Sequence, residues 1–98
     1  MEKKLSVVVS VYNEEQALPM FYETTKLILE ILPWDYELLF VNDGSRDDSL
    51  SILREYAARD EKVKFVSFSR NFGHEAAMIA GIDYADGDGI VCMDADLQ

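Results

Sequence analysis

Residues 5–12, LSVVVSVY, form an uncharged, valine-rich run near the start of the chain. Apolar residues at consecutive positions, not alternating ones, predict a strand buried on both faces. A helix is expected over residues 18–32, with Pro19 in its first turn and Pro33 ending it. Its core face is expected to hold Leu18, Phe21, Thr25, Ile28, Leu29 and Leu32. Residues 36–41 predict a second buried strand, and Asp43-Gly44-Ser45 a turn. Ser45 or Asp47 is expected to cap a helix reaching residue 59, with Leu50, Leu53, Tyr56 and Ala57 facing the core. A third strand is expected at 63–68, then an alanine-rich, closely packing helix at 73–85. Asp86-Gly87-Asp88-Gly89 turns the chain into a fourth strand that ends at Asp94.

The order is β-α-β-α-β-α-β, an α/β chain of one domain over residues 1–98. Right-handed crossovers make the sheet mostly parallel, and a switch in strand order implies the arrangement 3-2-1-4. Ligands of such sheets sit beyond the carboxyl ends of the strands. Four polar clusters fall at those ends: Asn13-Glu14-Glu15, Asn42-Asp43-Gly44-Ser45, Ser69 to His74, and Asp94-Ala95-Asp96. Asp83, Asp86 and Asp88 form another acidic group, expected as a solvated turn at the opposite end.

Composition narrows the partners. Hydrophobic residues make up 49% and aromatic ones 11%, enough for a packed core. Nineteen acidic against nine basic residues give a net charge of -10, which disfavours nucleic acid and anionic lipid. The single cysteine, Cys92, reads as a small buried hydrophobe in a reducing, cytoplasmic compartment. No apolar stretch reaches the roughly 18 residues of a membrane span, and no signal peptide is visible.

The clusters offer the groups that a nucleotide-sugar site needs. Asp94 and Asp96 share a face of the strand and can hold one Mg²⁺ or Mn²⁺, with Gln98 adding a neutral oxygen. Asp43 can accept from a base N–H, Tyr12 can stack beside the base, and Glu14 can meet ribose hydroxyls or the metal. Arg70 and His74 are candidates for phosphate or acceptor contacts. Plainer readings stand beside these: a turn and helix cap at Asp43-Gly44-Ser45, helix-dipole charges at Glu14 and Glu15, and solvated loop residues at Arg70 and His74. Two other functions compete. A receiver-like Mg²⁺-binding signalling domain would want an aspartate after the third strand, where Ser69-Arg70-Asn71 stands. A non-catalytic nucleotide-binding module would need only half of a catalytic site.

The segments VVVSVYNEE (7–15), VNDGSRDDS (41–49), SRNFGHEAAMIAGIDYADGD (69–88) and MDADLQ (93–98) resemble the start of inverting family-2 glycosyltransferases of GT-A fold. The Arg70-Asn71-Phe72-Gly73-His74 segment resembles the polyprenyl-phosphate subgroup, which includes dolichol-phosphate mannosyltransferases and bactoprenol glucosyltransferases. One departure is Ser10, where many members have proline. The resemblance implies a Rossmann-like sheet and transfer, with inversion, from a UDP- or GDP-sugar to a lipid phosphate. It places Val11, Tyr12, Asn13, Glu14, Asp43, Ser45, Arg70, Asn71, Gly73, Asp94 and Ala95 around the nucleotide, and Asp94, Asp96 and Gln98 on the metal. It further implies that the chain is the truncated, inactive first half of a catalytic domain. The catalytic base and acceptor side would lie beyond Gln98, and the parent enzyme would work at the cytoplasmic face of a membrane. The fourth strand would then be an exposed edge, through which residues 90–96 could self-associate.

Overall fold

Val7, Val8, Val9 and Val11 are all buried, with side chains alternating between the two faces of one strand. In the computed structural model, which describes residues 3–95, this strand is β1 (Lys4–Val11). Beside it run β2 (Asp35–Asn42), β3 (Val63–Ser67) and β4 (Gly89–Asp94), all parallel, in the order β3-β2-β1-β4. Helices α1 (Leu18–Ile31), α2 (Ser49–Arg59) and α3 (His74–Tyr84) make the crossovers. The order expected from the sequence is the observed one. Progress along the sheet reverses between β3 and β4, so the switch point lies between β1 and β4.

Two apolar layers follow from the strand alternation. Val7, Val9 and Val11 meet Leu18, Phe21 and Leu29 of α1 and Leu53 and Tyr56 of α2 on one face. Phe21 and Phe40 pack there edge to face, with ring centroids 6.2 Å apart. On the other face Val8, Leu39 and Val41 pack against Ala77 of α3. A Cβ added to Gly81 would fall 2.2 Å from Val8 Cγ1, so the bare glycine sets how closely α3 approaches the sheet.

Several local expectations are corrected. Ile28 and Leu32 are exposed, not core residues. Ile28 is rotated about 100° around α1 from its buried neighbour Leu29. Leu32 is already the extended C-cap and has left the helical period. Helix α2 starts at Ser49; its N-cap residue Asp48 makes no side-chain cap bond, and of the two expected caps it is Asp47 whose Oδ1 accepts the Ser49 N–H, at 2.9 Å. Cys92 is exposed. Among the described residues its strand pairs only with β1 and is the last in the sheet order, so Ile90 and Val91 are also more than 40% exposed.

The turn after α3 is more firmly held than a solvated turn would be. Ser6 and Glu37 are register partners, and both are buried. The Glu37 carboxylate accepts from Ser6 Oγ at 2.6 Å, the Asp86 N–H at 2.7 Å and Lys64 Nζ at 2.9 Å. The Gly87 N–H donates to Ser6 Oγ at 2.8 Å. Burial pushes the Glu37 carboxyl up, but these donors outweigh it and hold the group at about 2. The latch lies at the amino ends of the strands, away from the polar rim.

Candidate functional site

At the opposite end, side chains lace the loops after β1 and β2 together. Ser45 Oγ accepts the Asn13 N–H at 3.0 Å, and Asn13 Oδ1 accepts the Arg46 N–H at 2.8 Å. Ser49 Oγ accepts from the Glu14 N–H at 3.0 Å, and Asp47 Oδ2 from the Glu15 N–H at 3.1 Å. Asn13 adopts φ 52°, a left-handed conformation that asparagine tolerates better than most residues. Thus Asn13 and Ser45 act first on each other's loops. Burial pushes the Asp47 carboxyl up, but the Ser49 hydroxyl and the Ser49 and Glu15 N–H groups bring it below the usual carboxylate range.

Asp43 ties down the third loop. It is only 2% exposed. Its Oδ1 accepts the Phe72 N–H at 2.8 Å, and its Oδ2 accepts from Asn71 Nδ2 and the Gly73 N–H, both at 3.0 Å. Gly44 allows the approach: at φ 70° a Cβ there would lie 2.2 Å from the Arg70 carbonyl carbon. Gly73, at φ 105°, then leads the chain into α3. The paired donors make Asp43 the anchor of the 70–73 loop.

Above the switch point opens a cavity of about 460 Å³, lined by Tyr12, Glu14, Asp43, Asn71, Gly73 and Asp94, together with Ser10 and His74. Six of the eleven residues expected around a nucleotide therefore meet in one place. Arg70 and Ser45 line a neighbouring cavity instead, while Tyr12 and Asn71 border both. The side chains of Val11 and Ala95 are buried, at 0% and 1% exposure. The Val11 carbonyl accepts the Asp43 N–H at 2.8 Å and so helps to position that residue.

Asp94 stands at the tip of β4, with its side chain more than half exposed and Oδ1 3.5 Å from His74 Nδ1. Its oxygen donors, open to a cavity that Glu14 also lines, suit a hard cation such as Mg²⁺ or Mn²⁺. The other two expected ligands, Asp96 and Gln98, lie outside the described residues. Among the described residues no three His, Cys, Asp or Glu side chains converge into a metal group. Ser10 was legible only as a sequence departure; its position one residue before Val11 at the strand end brings it to the cavity wall.

Residues 6–98 match Glycosyl transferase family 2. The chain belongs to this family. Among its relatives, "Uncharacterized glycosyltransferase YkcC" of Bacillus subtilis (strain 168) is 54% identical over 95% of this chain and 29% of its own length. "Bactoprenol glucosyl transferase" of Shigella phage SfV is 47% identical over 97% of this chain and 31% of its own length. The chain thus spans under a third of these two relatives. The solved mannosyltransferase PcManGT from Pyrobaculum calidifontis, in complex with GDP-Man and Mn²⁺, superposes with a TM-score of 0.76 at 25% identity. That likeness covers 98% of this chain and 28% of the mannosyltransferase. The four-stranded parallel sheet is accordingly the GT-A, Rossmann-like sheet of the family.

Proposed function

We propose that this chain provides the donor-binding side of a glycosyltransferase that moves a sugar from UDP or GDP to a polyprenyl phosphate, with inversion. The observation that carries the reading is the switch-point cavity, where Tyr12, Glu14, Asp43, Asn71, Gly73 and Asp94 meet. Membership of family 2 supports the reaction class. The name of the phage SfV relative, bactoprenol glucosyl transferase, supports a lipid phosphate as acceptor. Among solved neighbours, the GDP-Man and Mn²⁺ complex supports a nucleotide-sugar and a divalent ion.

In this reading Tyr12 lies beside the base, Asn71 and the Gly73 turn form the pocket wall, and Glu14 faces the ribose or the metal. Asp94 would hold Mg²⁺ or Mn²⁺ together with Asp96 and Gln98, and the ion would neutralise the departing diphosphate. An acceptor phosphate is already ionised, so it asks less of a general base than a sugar hydroxyl would. The acceptor side would be supplied by further chain length such as the relatives possess, at a membrane surface where the lipid resides.

Calorimetry of UDP, GDP and their sugars with and without Mn²⁺ tests the donor side. Binding should require the ion and fall about tenfold or more in Asp94→Asn. Binding indifferent to both the ion and the substitution would refute the metal-diphosphate reading.

A further inference from the structure

Of the chain's nine lysines and arginines, five pair with carboxylates among the described residues: Lys4, Lys26, Arg59, Lys62 and Lys64. Nine less five leaves four, and three of these, Arg46, Arg54 and Arg70, line one cavity of about 640 Å³. No carboxylate lines that cavity among the described residues, although acidic side chains outnumber basic ones by 19 to nine. In such a chain, an arginine has many carboxylates available to pair with. Three that meet no carboxylate among the described residues, gathered around one hollow, make a local positive potential on a negative protein. Arg70 lies with its guanidinium carbon 4.6 Å from the Phe72 ring centroid, which restrains it by a cation–π contact. Ser67 and Ser69 add hydroxyl donors to the same wall.

We propose that this cavity binds a phosphate group, separately from the nucleotide reading of the Asp94 cavity. Guanidinium forks match the oxygens of phosphate and give charge-assisted hydrogen bonds. The neighbouring cavity has the opposite character: Glu14, Asp43 and Asp94 line it and repel a phosphate that arrives without a metal. The ligand is a phosphate-bearing anion, either a soluble one or a lipid headgroup.

Titration of the chain with inorganic pyrophosphate in EDTA, followed by calorimetry and ³¹P NMR, tests the assignment. Arg46→Ala and Arg54→Ala should each weaken binding about tenfold. Arg59→Ala removes the same charge from the same helix as Arg54, but from a residue paired with Glu55 outside the cavity. It should change affinity less than about twofold. Circular dichroism of each variant reports that the fold is kept. Co-sedimentation with phosphatidylcholine vesicles containing phosphatidic acid, lost in Arg54→Ala, would assign the headgroup. Pyrophosphate binding without vesicle binding would assign a soluble phosphate, and both results support the site. Failure to bind pyrophosphate, or equal losses in Arg54→Ala and Arg59→Ala, would overturn it. So would a parallel loss of Mn²⁺-dependent UDP or GDP affinity in the Arg46 and Arg54 variants, because the cavity would then be part of the nucleotide site.

Discussion

Replacing Glu37 by glutamine keeps the volume of the latch while removing its charge. The carboxyl is 1% exposed and is held at about 2 against an ordinary 4.5. That difference corresponds to about 3 kcal/mol of stability at pH 7. Because the folded value is depressed, the contribution is fully present above about 4.5 and is lost as pH falls through about 2. At pH 3 less than half of it should remain. Glutamine also turns an NH₂ toward groups that donate, namely Ser6 Oγ, the Asp86 N–H and Lys64 Nζ. Urea unfolding followed by circular dichroism at pH 7 and pH 3 measures both numbers. The variant should lose about 3 kcal/mol at pH 7, and the gap from the wild type should shrink by more than half at pH 3. A cost below about 1 kcal/mol at pH 7, or an equal cost at both pH values, would refute the reasoning.

Gly81→Ala should overpack the α3 face against Val8 and cost about 1–3 kcal/mol, read as a lowered Tm by calorimetry; an unchanged Tm would count against that tight approach. Gly44→Ala should displace the 70–73 loop, since its φ is 70° and its new Cβ would strike the Arg70 backbone; unmoved amide shifts for residues 69–73 in ¹⁵N NMR would contradict this. Strand β4, with Ile90 and Val91 exposed at the sheet edge, should pair with a second copy at high concentration. Sedimentation velocity should show dimer that Val91→Lys abolishes, and a monomer throughout would dismiss the pairing.

The parallel sheet was readable because its inner strands are consecutive apolar runs, and buried strands have no other pattern to show. The switch point followed from crossover handedness. The errors arise where burial depends on neighbours that the sequence does not name. Cys92 lies in an apolar run like Val8 and Val9, but only those valines have strands on both sides. Ile28 has the hydropathy of Leu29 but points elsewhere around the helix. Glu37 left no sequence signal, since its burial becomes sensible only when register sets it beside Ser6 and under the Asp86 turn. At the rim, sequence pattern brought the right strand ends together. It could not tell that Asn13 and Ser45 would spend their polar groups on each other's loops, nor that Arg70 would face the neighbouring cavity.

The clasp at Asp43 gives recognition a conditional character. Its two oxygens already hold donors from Asn71, Phe72 and Gly73. An incoming N–H that seeks this carboxylate must therefore share or exchange with the loop instead of filling a vacancy. Affinity gained at this position is then a difference between two sets of donors, and the loop's conformation becomes part of what is recognised. Selectivity here would be set as much by how readily residues 70–73 yield as by the ligand's own pattern of donors.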